Sequence, residues 1–161
     1  METTRHLTTK VFIVNDGATA LHYHPKLEIY LPPGGHVERD ELPHRSGMRE
    51  VGEETGLEPE LCRKVEDVEV PGGRPLPEPE HHILYDVDTA DGEVVHQHID
   101  LIYYAEVSSR DIDPEERDEV PAEEWEWFTP EDLREGDFDP DTVKMATEAI
   151  EKVEGDQDGD R

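Results

Sequence analysis

Residues 34–57 read GGHVERDELPHRSGMREVGEETGL, and both the fold and the site depend on this stretch. Its second half predicts a short helix. Each residue of an α-helix advances about 100°, so the carboxylates of Glu50, Glu53 and Glu54 share one face, one turn deep. Like-charged pairs at these spacings cost only about 0.2 to 0.5 kcal/mol each, so the cost alone does not decide whether this face binds a cation.

Helical spacing gives only one of these glutamates a cation. Arg49 lies four residues before Glu53, whereas neither Glu50 nor Glu54 has a Lys or Arg three or four residues away. Oxygen-rich, cation-poor clusters suit hard divalent ions, above all Mg²⁺, which uses one or two carboxylates, several waters and substrate phosphates. From the residues alone, a metal site and a solvated acidic face are therefore equally good interpretations.

Proline and glycine set the expected limits of the helix. Pro43 fits the first turn, so the helix is expected to begin at Asp40 or Glu41, and Gly56 suits its C-terminal end. The other glycines are Gly34 and Gly35, expected in a tight turn, and Gly47 and Gly52, expected where the helix lies close to a sheet.

Short runs of apolar and β-branched residues elsewhere predict strands. These runs are KVFIVN (10–15), ALHYH (20–24), KLEIYL (26–31), RKVEDVEV (63–70), HHILYDVD (81–88), HIDLIYYAEV (98–107) and EWEWFT (124–129). Helices are predicted at 130–135 and, with an apolar stripe, at 141–153. The Pro- and Gly-rich residues 71–80 predict an exposed loop. Strands with helices inserted and appended indicate an α/β sandwich built on a mixed sheet.

The composition indicates one domain over residues 1–153, followed by an acidic tail over residues 154–161 that is expected to be disordered. The formal net charge of -28 argues against nucleic acid or an anionic membrane as a partner, because both need a basic face. Such an acidic chain with few lysines favours a halophilic source, with an ordinary acidic cytosolic protein as the alternative. Cys62 is the single cysteine, which suits a cytoplasmic location, and the N-terminus lacks the apolar stretch of a signal peptide.

The opening stretch resembles the motif of the Nudix (MutT-like) hydrolases. That motif is Gly, five residues, Glu, seven residues, Arg-Glu, a bulky aliphatic, any residue, Glu-Glu, any residue, Gly and an aliphatic. The matching positions are Gly35, Glu41, Arg49, Glu50, Val51, Glu53, Glu54, Gly56 and Leu57. Residues 31–38 and 126–133 also resemble segments of this family, so the likeness extends over about residues 10–135.

The resemblance implies a Nudix-type α/β/α sandwich with a mixed sheet. It also implies a hydrolase that uses Mg²⁺ or Mn²⁺ to cleave the diphosphate linkage of a nucleoside diphosphate joined to another moiety, such as a nucleoside triphosphate or ADP-ribose. The alternative is a non-catalytic nucleotide-binding sensor, against which the complete set of glutamates argues. The partner would be a small-molecule nucleotide, and related proteins are often homodimers.

The resemblance also implies the roles of individual residues. The metal ligands would be Glu50, Glu53 and Glu54, with the carbonyl of Gly35 as a further ligand. Arg49 would orient the glutamates of the catalytic set, and Glu41 would pair with Arg49. Glu50 is the first choice as general base, and the alternatives from a later segment are Glu119, Glu123 and Glu124.

Two histidine pairs, His22 with His24 and His96 with His98, have the spacing of two that aims both rings at one face of a strand. Such a pair could bind a transition metal. Because the sequence indicates no third ligand for either pair, we expect partly exposed strand residues.

Overall fold

The computed structural model describes residues 2–62, 65–116 and 118–159. Within these residues, eight strands form one sheet. The strands are β1 Thr4–Asn15, β2 Ala18–His24, β3 Ile29–Leu31, β4 Gly34–His36, β5 Glu60–Leu61, β6 His81–Ala90, β7 Glu93–Glu106 and β8 Trp125–Phe128. The helices are α1 Pro43–Thr55, α2 Pro130–Glu135 and α3 Pro140–Gly159. None of the described helices combines the length and the apolar character that crossing a bilayer requires.

The sheet is mixed because its two longest strands are parallel. β1 and β7 pair from Thr4 with His96 to Val14 with Glu106. The main path of the sheet is β3-β2-β1-β7-β5, while β4 pairs with β1, β6 with β7 and β8 with β2. All pairs other than β1 with β7 are antiparallel.

Helices cover both faces of the sheet. Because side chains alternate between the faces along each strand, neighbouring residues of β1 pack against different helices. Val11 of β1 packs in a cluster with Val51 of α1. Its neighbour Phe12 packs on the opposite face with Tyr104 of β7 and Ala146 of α3. The predicted α/β/α sandwich is confirmed, with α1 on one face and α3 on the other.

The strand prediction was wrong for RKVEDVEV. Residues 65–70 form no regular element, and residues 63–64 lie outside the described part. Val65, Val68 and Val70 are 48%, 51% and 42% exposed. The segment has the composition of a strand, but β5 and β6 already pair with β7, and none of the described strands pairs with it.

The glycines before α1 form a strand instead of the expected turn. In β4, Gly34 pairs with Lys10 and Gly35 with Thr9 of β1. A side chain on Gly34 would overlap the carbonyl oxygen of Thr9, so the close approach of two backbones requires glycine here.

Helix α1 begins two residues later than the latest expected start, at Pro43. The amide of Glu41 donates to the carbonyl of Glu38 at 3.0 Å, and Leu42 is extended, as a residue before proline tends to be. Gly47 lies against Val11 as expected, since a Cβ there would be 2.9 Å from Val11 Cγ2. Gly52 does not meet the sheet, because the nearest atom to its added Cβ is Glu115 Oε1 at 3.9 Å.

Helix α3 extends beyond the predicted end at Val153 and reaches Gly159. Its predicted apolar stripe is buried in the core at Ala146, Ile150 and Val153. Residues 160–161 of the expected tail lie outside the described part. The division into a domain over 1–153 and a tail over 154–161 stays a proposal.

Gly56 ends α1 with a left-handed backbone, φ 73°, and its amide donates to the carbonyl of Gly52 at 2.8 Å. A Cβ on Gly56 would overlap the carbonyl oxygen of Asp113. The left-handed backbone alone costs an alanine about 1 to 2 kcal/mol. We therefore expect Gly56→Ala to lower the free energy of unfolding by more than that amount in urea titrations.

Gly17 provides the matched control for this substitution. It has nearly the same backbone, φ 78°, with no atom within 4 Å of an added Cβ. Gly17→Ala should show the backbone cost alone. If Gly56→Ala and Gly17→Ala lowered the free energy of unfolding equally, the conclusion that the loop around Asp113 packs tightly on the end of α1 would be wrong.

Candidate active site

The guanidinium of Arg49 joins three carboxylates. Its Nε and Nη2 donate to the two oxygens of Glu41 at 2.6 and 2.9 Å, a bidentate arrangement. Its Nη1 donates to Glu50 Oε1 and Glu53 Oε2, both at 3.0 Å. The hydrogen bond with Glu41 is the main cause that raises the pKa of Arg49. Arg49 thus ties the segment before α1 to the helix, and it supplies Glu50 with a cation that helical spacing did not reveal.

Glu50 lies directly against Gly35 of β4. A Cβ on Gly35 would be 2.6 Å from Glu50 Oε1 and 2.8 Å from its Cδ, so glycine leaves room for this carboxylate. Burial raises the pKa of Glu50, while the charge of Arg49 acts in the opposite direction. The Gly35 carbonyl is 3.5 Å from the hydroxyl of Thr9, a long contact.

Glu54 is the most buried of the three helical glutamates, at 9% exposure. Its Oε2 accepts the amide of Gly34 at 2.9 Å. Burial raises the pKa of Glu54 to about 9, and the negative charges of Glu50 and Glu119 add to this effect. Among the described residues no lysine or arginine lies within salt-bridge distance of Glu54. Since a buried carboxylate is costly without a charged partner, this arrangement suits a bound cation.

A loop after β7 brings a further glutamate to the cluster. The amides of Asp113 and Glu115 donate to the carbonyls of Thr55 and Glu53 at 2.9 and 3.0 Å, which docks the loop on the end of α1. Farther along, Glu119 is half-buried. Burial raises its pKa, as do Glu50 and Glu53.

The other two sequence candidates for the general base lie elsewhere. Glu123 and Glu124 are exposed in the 3₁₀ turn Ala122–Glu124, which precedes β8. The structure therefore brings Glu119 to the glutamates of α1 and leaves the other two at the surface. Docking of the loop is a tertiary contact, and no local pattern in the sequence distinguishes these acids.

The donors assembled here are all oxygens. Glu50 and Glu54 of α1 lie against the glycines of β4, and the buried Glu54 lacks a salt bridge within the described part of the chain. Hard divalent ions such as Mg²⁺ and Mn²⁺ prefer such donors, so these residues fit a divalent metal.

A cleft of about 510 Å³ lies on the α3 face of the sheet, next to the carboxylates. Gly34 and Gly35 line this cleft and also contact Glu54 and Glu50, respectively. Its aromatic and apolar lining includes Phe12, Leu27, Ile29, Tyr30, Tyr85 and Met145. The two glycines of β4 therefore separate an apolar cleft from a cluster of carboxylates.

The first histidine pair was expected to be partly exposed, which was wrong for His22. His22 is buried, and its ring lies 4.6 Å from that of Trp125 between centroids. His24 Nδ1 accepts the amide of Leu27 at 3.2 Å.

Cys62 is half-buried and packs against the core on the α3 face.

The sequence model of the NUDIX domain matches residues 4–148. The chain belongs to the Nudix hydrolase family. These enzymes act on substrates linked to a nucleoside diphosphate and generally use divalent metal ions.

Solved structures agree with this assignment. This Nudix hydrolase is 35% identical to a hydrolase of the NUDIX family from Clostridium perfringens, with a TM-score of 0.81 over 93% of this chain and 99% of the other. It has the fold of a MutT NUDIX hydrolase from Burkholderia pseudomallei, with 23% identity and a TM-score of 0.60 over 93% and 98% of the two chains. It also has the fold of the C. elegans Ap4A hydrolase, with 15% identity and a TM-score of 0.53 over 94% and 98%. No protein of curated function matches the chain.

Stability in acid should report the pairing of Glu41 with Arg49. The hydrogen bond from Arg49 lowers the pKa of Glu41 from 4.5 to about 2. A carboxyl whose pKa is lowered by folding stabilises the fold fully above the unfolded pKa, and this contribution is lost as pH falls through the folded pKa. We expect Glu41→Gln to have a lower free energy of unfolding than the wild type at neutral pH. The difference between the two proteins should narrow as pH falls from 4.5 to about 2.

Urea titrations at several pH values, with a chelator present, measure this gap. Glu38→Gln is the control, because Glu38 is 3.7 Å from Arg49 and its side chain is 68% exposed. It should lose little stability at any pH. A gap for Glu41→Gln that does not change with pH would contradict the prediction.

Proposed function

We propose that this Nudix hydrolase requires Mg²⁺ or Mn²⁺ and cleaves the diphosphate linkage of a nucleoside triphosphate or an ADP-ribose type substrate. The observation that carries the proposal is the carboxylate of Glu54, which is buried beside Glu50 and has no lysine or arginine partner among the described residues. A diphosphate would be repelled by such a cluster unless divalent ions neutralised it. The complete set of glutamates argues against the alternative, a non-catalytic nucleotide-binding sensor.

The proposed metal ligands are the carboxylates of Glu50, Glu53 and Glu54 and the carbonyl of Gly35. When bound, a divalent ion polarises the phosphorus and neutralises charge on the leaving phosphate. Arg49 keeps Glu50 and Glu53 oriented through its hydrogen bonds at 3.0 Å. Glu41 holds Arg49 in place from the other side.

We propose Glu119 as the general base, in preference to Glu50. Glu50 already accepts a hydrogen bond from Arg49 and is a proposed metal ligand, so its carboxylate is engaged in other contacts. Burial and the neighbouring acids, Glu50 and Glu53 among them, raise the pKa of Glu119, which makes its carboxylate a stronger base. In this assignment a carboxylate oxygen of Glu119 takes a proton from the attacking water.

The cleft beside β4 is the proposed site for the nucleoside. Tyr30 offers an aromatic face for a base, and Phe12 and Met145 offer apolar contacts. Gly34 and Gly35 border the cleft on one face and the carboxylates on the other, and β4 pairs with β1 alone among the described strands. In this proposal the phosphates of a nucleoside in the cleft pass around the open edge of β4 to Glu50 and Glu54.

A hydrolysis panel tests the function. Nucleoside triphosphates, ADP-ribose, dinucleoside polyphosphates and NADH are each incubated with Mg²⁺, with Mn²⁺ and with a chelator, and the products are separated by chromatography. We expect metal-dependent release of a nucleoside monophosphate from at least one substrate. Nucleotide binding without cleavage under every condition would contradict the proposal and favour the sensor.

The assignment of the base has its own prediction. General base catalysis contributes roughly 10²- to 10⁴-fold, so we expect Glu119→Gln to lower kcat by a factor in that range. The acidic limb of the pH profile, where protonation of Glu119 lowers the rate, should disappear as well. Glu123→Gln, which changes an exposed glutamate of the same segment, should keep wild-type kcat. Wild-type kcat in Glu119→Gln together with a loss in Glu50→Gln would move the role to Glu50.

The cellular setting remains part of the proposal. The net charge of -28 supports a halophilic source, because salt screens the mutual repulsion of surface carboxylates. The panel should therefore be run in both dilute buffer and multimolar KCl, with higher activity expected in salt.

The single cysteine supports a cytoplasmic location. A homodimer is proposed on family grounds, and sedimentation would test it.

A further inference from the structure

Four histidine rings gather where β1, β4 and β7 meet. His6 Nδ1 lies 2.9 Å from His96 Nε2, and His36 Nε2 lies 3.4 Å from His98 Nε2. The ring centroids of His96 and His98 are 5.0 Å apart, and those of His6 and His36 are 5.1 Å apart. One ring nitrogen from each of His6, His96 and His98 lies within 4.8 Å of the others. The third ligand that the pair of His96 and His98 lacked in the sequence therefore comes from β1.

Strand register explains why these rings meet. His6 of β1 pairs with His98 of β7, and His96 follows on the same face because it is two residues away. On the other side of β1, Thr8 pairs with His36 of β4, which places the fourth ring on that face too. This is the α3 face of the sheet, and the neighbouring Gly35 points to the opposite face, against Glu50. The histidines thus form a cluster separate from the carboxylates.

The distances suit a tetrahedral transition-metal site. Two imidazole nitrogens bound to Zn²⁺ at 2.0 to 2.1 Å are roughly 3.4 Å apart at the tetrahedral angle. The contacts of 2.9 Å between His6 and His96 and of 3.4 Å between His36 and His98 lie close to this spacing. The nitrogens of His6, His96 and His98 as a set lie within 4.8 Å, so some must move closer to bind one ion. The rings of His6 and His36 are exposed, so small rotations can bring their nitrogens into place.

The surrounding charges leave this position open to a cation. Arg5 donates to the side chain of Gln97 at 2.7 Å, and both residues point to the other face of the sheet because they alternate with the histidines. Lys10 pairs with Asp100 at 2.8 Å farther along the strands. The chain as a whole carries a net charge of -28, which attracts cations.

We propose that His6, His96 and His98, with His36 as fourth ligand, form a binding site for a transition-metal ion of the Zn²⁺ type. Imidazole ligands favour Zn²⁺, Ni²⁺ or Cu²⁺ over Mg²⁺, so this site and the carboxylates select different metals. A bound ion crosslinks β1 and β7, whose paired residues are about ninety positions apart in sequence, and adds β4 to the crosslink. It therefore stabilises the sheet beside the cleft, which His36 and His98 help to line.

Zinc binding to the whole chain tests this proposal. The protein is freed of metal with a chelator, saturated with Mg²⁺ to occupy the carboxylates, and titrated with Zn²⁺ by calorimetry. We expect one equivalent of Zn²⁺ to bind and to raise the melting temperature. Loss of a group that only supports a ligand typically weakens metal binding about 10- to 100-fold, so removing two ligands in His96→Gln/His98→Gln should exceed that loss.

Controls distinguish this site from other zinc binding. His82→Gln removes an exposed histidine of β6 outside the cluster and should bind Zn²⁺ like the wild type. Glu54→Gln should also keep the site, because its carboxylate lies on the opposite face. His6→Gln, a single change at an exposed position, should weaken binding even if the double variant fails to fold.

Cobalt gives a direct spectroscopic readout. Co²⁺ in place of Zn²⁺ should produce the intense visible absorption of a four-coordinate site in the wild type and in His82→Gln, and that absorption should be absent from His6→Gln. Unchanged zinc stoichiometry and affinity in His6→Gln, or zinc binding that Glu54→Gln abolishes, would overturn the proposal.

Discussion

Glu54→Gln is expected to abolish metal-dependent hydrolysis with little change in fold. Glutamine preserves the size of the side chain but removes the charge that the metal needs. Substitution of groups that only support metal ligands costs about 10- to 100-fold, so loss of a ligand should lower kcat/KM by more than about 100-fold. Steady-state assays over a Mg²⁺ titration measure this loss, and higher Mg²⁺ should not restore the wild-type rate.

The control for this substitution is Glu58→Gln. Glu58 is exposed just beyond the end of α1, so the same chemical change there should leave kcat/KM unaltered. If Glu54→Gln kept full activity, the assignment of Glu54 as a metal ligand would be wrong, whichever nucleotide is the substrate.

The free energy of unfolding of Glu54→Gln, measured without metal, shows whether the variant loses activity because it cannot bind metal or because it unfolds. Burial raises the pKa of Glu54 from 4.5 to about 9, so the folded protein holds a proton there that the unfolded chain releases. Its contribution to stability is therefore fully present below pH 4.5 and is lost as pH rises toward 9. Because glutamine does not titrate, Glu54→Gln should not lose stability in this way as pH rises. In a chelator it should unfold at the same or a higher urea concentration than the wild type at pH 8.

The core of the site could be predicted from the sequence because its residues lie close together in the chain. One helix places Glu50, Glu53 and Glu54 on one face, and helical geometry is local. The end of the helix at Gly56 was also predictable, since a glycine there permits the left-handed backbone that the structure shows.

Strands were less predictable because pairing depends on a partner elsewhere. Residues 65–70 contain three valines among acids and yet pair with no described strand. Gly34, Gly35 and His36 have little preference for strand structure, but β1 offers them an edge, and they form β4. In both segments the sheet overrides local preference.

Side chains brought together from distant positions were the least predictable part of the site. Glu119 is one of 43 acidic residues, and only docking of its loop on α1 distinguishes it from Glu123 and Glu124. His6 reaches His96 and His98 through a parallel pairing across about ninety residues, which no pattern near either segment indicates.

Arg49→Lys is expected to lower kcat about 10- to 100-fold, as replacements of groups that orient metal ligands typically do. Arginine presents five donors in a rigid plane, and here Nε and Nη2 bind Glu41 while Nη1 binds Glu50 and Glu53. The lysine ammonium keeps the charge but cannot bridge three carboxylates in this geometry. Glu50 and Glu53 should therefore lose their fixed orientation.

The pattern of kinetic change distinguishes this positioning role from a loss of charge or of fold. The concentration of Mg²⁺ needed for half-maximal activity should rise, while KM for the nucleotide should change little, since Arg49 contacts carboxylates and does not line the cleft. Arg45→Lys, an exposed change one turn earlier on α1, should leave both quantities unaltered. If Arg49→Lys retained wild-type kcat and Mg²⁺ dependence, the charge of Arg49 would suffice, and the bidentate contact with Glu41 would have no role in orienting the glutamates.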